Sequence, residues 1–243
     1  MTLLNENESL TEVNDGIRLI QNKNGLTFGT DAFLLSAFVN GRKNGTAAEI
    51  GSGSGIISLL LASRKRFAKI YALEVQEYYA DLTRRNAVLN GLDGTVEALH
   101  TDARDFKTEC DTVFMNPPYM KTDSGKVNED EGKFAARHEA NGDIFELCRA
   151  ANRMLKYGGE LYIVYRPDRL TDLICAMRDC VIEPKRLCFV HQSRSHSPSL
   201  VLVCGKKGGK SGADILRPLI LTDENGNESD DCRYVYSHGE WVK

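Results

Sequence analysis

The sequence predicts an α/β protein: a doubly wound, mostly parallel seven-stranded sheet with a terminal antiparallel strand. Three observations carry this. Short apolar runs alternate with helix-length runs from Ala47 to Cys204, the pattern of strands joined by crossover helices. Glycines at alternate positions, Gly51, Gly53 and Gly55, follow the first of these strands, where a close backbone approach and a tight turn into a helix are needed. The last two apolar runs have only the loop Gln192 to Pro198 between them. That is too short for a crossover, so they form an antiparallel pair.

Each element follows in order. Gly16 to Asn24 reads as a short β element, and Ala32 to Val39 as a helix with Thr30 or Asp31 as its N-cap. Gly41 to Gly45 is a turn. Ala47 to Ile50 is a strand and Ile56 to Ser63 a helix. Lys69 to Leu73 is a strand, and Gln76 to Asn90 a helix stopped by Gly91. Val96 to His100 and Thr112 to Met115 are strands, the second ended by Pro117 and Pro118. Ile144 to Leu155 is a helix stopped by Gly158 and Gly159, followed by the strand Glu160 to Tyr165 and the helix Leu170 to Arg178. Arg186 to His191 and Ser199 to Cys204 complete the sheet. Between Met120 and Gly142 lies a long polar stretch, of the kind that forms lids over sites.

Composition sets limits. A chain of 243 residues that is 42% hydrophobic can bury a substantial core. No apolar run approaches the ~20 residues of a membrane-spanning helix. The polar, acidic stretch from Met1 to Gly16 does not read as a signal peptide. Seven scattered cysteines, with no Cys-x-x-Cys and no zinc-like His spacing, read as reduced core thiols. A cytoplasmic protein without a metal, and a monomer, is expected. Net charge is −3, but thirteen Lys/Arg against six Asp/Glu fall between Arg149 and Arg217, and five acids without a base between Asp223 and Asp231. A basic segment followed by an acidic tail suits phosphate contact, and equally a solvated surface. Lys206, Lys207 and Lys210 share a glycine-rich stretch suited to a phosphate backbone, and Arg194, His191 and His196 flank the hairpin loop.

The chemistry concentrates at Asn116-Pro117-Pro118-Tyr119. An amide, two rigid prolines and an aromatic ring stand at the C-terminal mouth of a strand, where open α/β sheets bind ligands. The Asn116 side-chain oxygen and the Pro117 carbonyl are placed to accept the two hydrogens of an exocyclic amine. Tyr119 is placed to stack on the base, a contact worth roughly 1–3 kcal/mol. The plain alternative is a strand-ending turn. A second cluster reads as a nucleotide-like cofactor site: Glu49, Gly51, Ser52, Gly53 and Gly55 at the first strand-helix turn, Glu74 at the end of the second strand, and Asp102 with Ala103 after the third. Glu74 is spaced to take ribose hydroxyls, and Asp102 with the Ala103 amide to hold an adenine edge. The third glycine arrives one residue earlier than in the dinucleotide fingerprint, and Glu49 suits a cationic amino-acid group better than a pyrophosphate. S-adenosylmethionine is therefore expected over NAD.

These residues together resemble the class I S-adenosylmethionine-dependent methyltransferases, in the Asn-Pro-Pro-Tyr branch that modifies planar nitrogens. The segments Gly25 to Leu35, Ala136-Arg137-His138-Glu139, Leu202 to Gly209 and Pro218 to Gly226 are similar to the bacterial tRNA(Val) adenine-N6 methyltransferases. That resemblance implies S-adenosylmethionine as cofactor and tRNA as partner. It implies methylation of the adenine 3′ of the anticodon, and Arg137, His138, Arg194 and the three lysines are the candidate RNA contacts. His138 is the nearest candidate by sequence for a proton carrier, but the favoured reading is a loop residue that binds phosphate or nothing. The implied division is an N-terminal β element and helix (1–44), a methyltransferase domain (45–217) and an acidic C-terminal tail (218–243). Other planar nitrogens, in ribosomal RNA, DNA or a protein glutamine, remain as alternatives, as do an NAD-binding oxidoreductase and a non-catalytic RNA-binding module.

Overall fold

The computed structural model describes residues 4–13, 16–25, 29–117 and 144–242. An antiparallel hairpin, β1 (Glu8–Val13) and β2 (Ile17–Asn22), precedes the main sheet. After α1 (Thr30–Phe38) come β3 (Arg42–Ile50), α2 (Ile56–Ser63), β4 (Phe67–Glu74), α3 (Glu77–Leu89), β5 (Val96–His100) and β6 (Cys110–Met115). Then α4 (Ile144–Met154), β7 (Leu155–Tyr165), α5 (Leu170–Asp179), β8 (Ile182–His191) and β9 (Pro198–Lys207) lead to the short strands β10 (Asp214–Ile215) and β11 (Leu219–Ile220) and to α6 (Asp230–His238).

The sheet order is β10-β8-β9-β7-β6-β3-β4-β5, with β11 also on β8. β9 is antiparallel to both its neighbours and the other pairings in this sheet are parallel. The seven expected strands are present with that order of winding. Two-residue strands β10 and β11 extend the sheet to nine, a pairing too short to announce itself in sequence. Alternation along each strand feeds two cores. Phe114, Tyr162 and Leu202 face α1 and α2, while Val113, Met115, Leu161 and Val203 face α4 and α5.

Some local expectations change. The residue before α1 is Gly29, with no side-chain cap, and Asp31 lies inside the first turn. Gly41 to Gly45 is no free turn, because β3 already begins at Arg42 and carries a register shift before Thr46. α4 ends at Met154 and passes straight into β7, so Gly158 and Gly159 lie within a strand. The acidic C-terminal stretch folds. The Ser229 hydroxyl accepts from the Cys232 amide at 3.0 Å to cap α6, and Asp230 and Asp231 occupy its first turn, where acids suit the helix dipole. Val235 is buried with the α1 core, and Trp241 meets Phe38 edge-on at 5.1 Å.

The hairpin is fastened to α3. Glu8 is buried, and Arg85 grips its carboxylate with Nη1 at 2.9 Å and Nη2 at 2.5 Å. The Arg85 hydrogen bonds hold the Glu8 carboxyl at about 2, against the opposing effect of burial. A lowered carboxyl stabilises the fold above the ordinary carboxylate range and stops doing so as pH falls through its folded value. Arg85→Met should therefore destabilise the protein by about 2 kcal/mol at pH 7, below the ~3–5 kcal/mol of a fully buried pair. The gap to wild type should narrow between pH 4.5 and about 2. Urea unfolding across that range checks this, and a gap independent of pH would contradict it.

Candidate active site

The parallel strands end in register, and this builds the site. Ile50 of β3 pairs with Met115 of β6 and with Leu73 of β4, and Glu74 pairs with His100 of β5. The next residues therefore line one edge in the order Asp102, Glu74, Gly51, Asn116. Four strands about 4.8 Å apart spread this row over roughly 14 Å. The chain reverses its direction of winding between β3 and β6, the switch point where doubly wound sheets open a crevice.

The glycine loop is a well-braced cradle. Gly51, Gly53 and Gly55 have φ of 72°, 56° and 83°, a region that side chains other than glycine enter only at a cost. A Cβ added at Gly51 or Gly53 meets nothing within 4 Å, so the loop presents bare backbone to open space. A Cβ at Gly55 would meet Thr83 Cγ2 at 2.7 Å, so α3 packs directly beneath. The Gly51 and Ser52 amides both donate to the Leu73 carbonyl, at 2.9 and 3.1 Å. Glu74, buried, accepts from the Gly53 amide at 3.0 Å and the Gln76 amide at 3.0 Å.

Two residues that the sequence reading passed over support the loop. Thr83 Oγ1 donates to the Gly53 carbonyl at 2.8 Å. Asn86, fully buried, donates to the Ser54 carbonyl at 2.9 Å and to the Ile20 carbonyl at 3.0 Å, and accepts from the Ile20 amide at 2.7 Å. Their signal was present: both are polar residues on the buried stripe of α3, beside Leu82 and Ala87, and buried polar groups need partners.

Glu49 lies below the loop, only 1% exposed, and accepts from the amide and hydroxyl of Ser58 on α2. Burial pushes its carboxyl up to about 8, the Ser58 hydrogen bonds pulling the other way. Asp102 is clasped by the Arg104 side chain and backbone, and the hydrogen bonds from Arg104 hold its carboxyl below the usual range. Ala103 is buried beside it. Asn116 stands at the end of β6, with Nδ2 donating to Asp31 Oδ2 at 2.8 Å. Pro117 is buried next to it. Pro118, Tyr119, Arg137 and His138 lie outside the described residues.

The sequence-predicted RNA residues divide between two edges. β8 runs parallel to β6, so Arg194, His191 and His196 share the edge of Asn116. Lys206 pairs with Glu160, which is level with Thr112 near the start of β6, while Val201 pairs with Tyr165 at the end of β7. Lys206, Lys207 and Lys210 therefore sit near the opposite edge, about 17 Å away along the strands. Lys207 is committed besides: its Nζ donates to the Asn152 and Leu155 carbonyls at 2.7 and 2.8 Å, closing the end of α4. Much of the basic segment is neutralised internally, through Lys156–Asp111, Arg166–Asp168, Arg169–Asp172, Arg178–Glu183 and Arg217–Asp231.

Among the described residues no group of His, Cys, Asp and Glu is arranged to hold a metal, and no helix is long and apolar enough to cross a membrane. All seven cysteines are free.

Comparison with known proteins agrees with this architecture. The chain is 30% identical over 153 residues to the tRNA1(Val) (adenine(37)-N6)-methyltransferase of Aeromonas hydrophila. The match takes in 62% of the chain and 64% of the relative, so the chain spans a little under two-thirds of that enzyme's length. A crystal structure of a predicted O-methyltransferase from Agrobacterium tumefaciens superposes with a TM-score of 0.69 at 18% identity, over 88% of this chain and 97% of that one. Methanocaldococcus jannaschii TYW2, crystallised in complex with AdoMet, gives 0.57 at 15% identity, over 85% and 88%. At these identities the two structures speak for the fold, that of the class I methyltransferases. The family model "Methyltransferase small domain" matches residues 22–172, more than half of the sequence. The chain belongs to that methyltransferase family.

Proposed function

We propose that the protein methylates N6 of an adenine in tRNA, with S-adenosylmethionine as the methyl donor. The adenine 3′ of the anticodon in a valine tRNA is the target proposed. The observation that carries this reading is the row Asp102, Glu74, Gly51, Asn116 along one sheet edge. It joins a cradle of bare glycine backbone, flanked by two acids, to an amide that can accept hydrogen bonds from an amine. The name of the Aeromonas relative supports the choice of tRNA and adenine.

The residues present fit such a cofactor. Gly51 and Gly53 offer bare backbone with open space above it. Glu74 would take the ribose hydroxyls in exchange for part of its present contact with the loop amides. The Ala103 amide and Asp102 would meet the adenine edge. When bound, S-adenosylmethionine supplies a methyl group on a positively charged sulfur that leaves readily.

The remaining work is positioning. A target base turned out of its stack presents an amine whose lone pair is delocalised into the ring. The Asn116 Oδ1 and the Pro117 carbonyl would accept its two hydrogens and bring the lone pair out of the ring plane. Tyr119 would stack on the base. The amine nitrogen held in this way would accept the methyl group that the cofactor supplies, and would then give up a proton to solvent. No strong base is required, since that proton becomes acidic once the nitrogen carries the methyl.

Phosphate contact near the target is assigned to Arg194, at the edge shared with Asn116. Lys206 and Lys210 lie at the far edge, where only a distant part of a tRNA would meet them.

The direct test is to digest bulk tRNA from cells with and without the protein and quantify N6-methyladenosine by mass spectrometry. Loss of the modified base with the protein is expected, and unchanged levels would refute the reading. Asn116→Ala should lower turnover by about 10²–10³, the usual effect of removing one preorganised polar contact, while leaving cofactor affinity intact. Turnover within a few-fold of wild type would remove Asn116 from the reaction. Glu74→Ala should weaken S-adenosylmethionine binding about tenfold to a hundredfold, from the ~1.5–3 kcal/mol of hydrogen bonds to a charged group. Calorimetry reads this directly. Arg194→Gln should reduce the log–log salt slope of tRNA binding by somewhat under one unit, whereas the double change Lys206→Gln and Lys210→Gln should leave the slope nearer wild type. The reverse ranking would move the RNA path to the other edge.

A further inference from the structure

We propose that Asp31 is a positioning residue that sets which way round the Asn116 amide faces; the inference rests on the amine-methylating function above. The two residues lie 85 positions apart in sequence and meet through Asn116 Nδ2 and Asp31 Oδ2 at 2.8 Å. Chemistry dictates the direction of this bond. An ionised carboxylate can only accept, so the amide must turn its NH2 toward Asp31. The Oδ1 then projects to the other side of the amide carbon.

That orientation is the one the reaction needs. An adenine amine brings two N–H donors and wants acceptors. An Asn116 flipped by half a turn would offer donors to donors. A planar amide has two nearly isosteric orientations, and an asparagine alone does not choose between them. Asp31 makes the choice by offering an acceptor where only the NH2 can be satisfied. Both side chains are half-buried, so water competes less for the bond.

Asp31 is itself held in place. Its Oδ1 accepts from the Ala32 amide at 3.0 Å in the first turn of α1, where a negative charge is favoured. α1 is buried along nearly its whole length between the sheet and α6. Tyr236 of α6 lies 5.4 Å from the Phe33 ring, and its hydroxyl bonds Thr30, the residue before Asp31. The carboxylate thus stands on a rigid element.

The test is an exchange of the two groups. Methyl transfer to a valine tRNA transcript and S-adenosylmethionine affinity are measured for wild type, Asp31→Asn, Asn116→Asp and the double variant. Asn116→Asp sets two carboxylates against each other, and a loss of at least about a hundredfold in kcat is expected. Asp31→Asn lets the amide at 116 adopt either orientation, and a loss of about tenfold in kcat is expected with cofactor affinity within twofold. In the double variant the amide at position 31 donates to the carboxylate at 116, whose second oxygen faces the amine. Recovery to within about tenfold of wild type is expected. A residue that merely propped up the fold would give no such recovery. If the double variant were no better than Asn116→Asp while both bind cofactor normally, the assignment of Asp31 would be overturned on its own. If wild type methylated no adenine in any tRNA, the functional reading would fall and this inference with it.

Discussion

One buried amide braces the site from below. Asn86 sits mid-helix in α3 and satisfies the Ile20 amide, the Ile20 carbonyl and the Ser54 carbonyl. Because its partners include both a donor and an acceptor, its orientation is chemically determined. Leaving such groups buried without partners costs roughly 1–3 kcal/mol each. The glycine loop needs this help, because three of its five residues hold positive φ and gain nothing from regular structure. Thr83, about one turn earlier on the same helix, holds the preceding carbonyl, that of Gly53. A helix that contributes no residue to the strand-end row therefore fixes the shape of the cradle and ties the N-terminal hairpin to it.

The acids around that cradle carry different loads. Glu74 uses both oxygens on backbone amides, of Gly53 and Gln76, so it shapes the loop before it meets any ligand. Glu49, near the end of β3, lies under the loop against Ser58 of α2, and burial raises its carboxyl toward neutrality at physiological pH. The sequence places both acids near the C-terminal ends of neighbouring strands, Glu49 on β3 and Glu74 on β4. Both are buried, and their partners separate them: Glu74 accepts from the amides of Gly53 and Gln76, and Glu49 from Ser58 on α2.

Much of this was legible in sequence because strand-helix alternation repeats a single physical pattern. The bounds of α2 and β5 are those expected from their apolar runs and flanking glycines. The strand-end placement of Glu74, Asp102 and Asn116 followed from those bounds. What escaped depends on partners far apart in the chain. The hairpin strand β1 has an alternation too polar to stand out, and it is held by the Glu8–Arg85 pair, 77 residues apart. The basic segment depends on distant partners too: Lys156 and Arg217 pair with Asp111 and Asp231, acids that lie outside it in sequence.

The acidic C-terminal stretch shows the converse. Its acids read as a tail because no apolar run surrounds them, yet most serve local geometry. Asp223 accepts from the Asn225 and Asn227 amides, each at 2.9 Å, to close a turn. Asp230 and Asp231 follow the Ser229 cap, and Asp231 pairs with Arg217. The turn and cap bring α6 onto α1, where Tyr236 and Trp241 pack against Phe33 and Phe38. α1 carries Asp31, and Asp31 holds Asn116. The end of the chain is thus coupled, through aromatic packing and one charged hydrogen bond, to the amide at the mouth of β6. The link depends on α1 being rigid, which its burial between sheet and α6 provides.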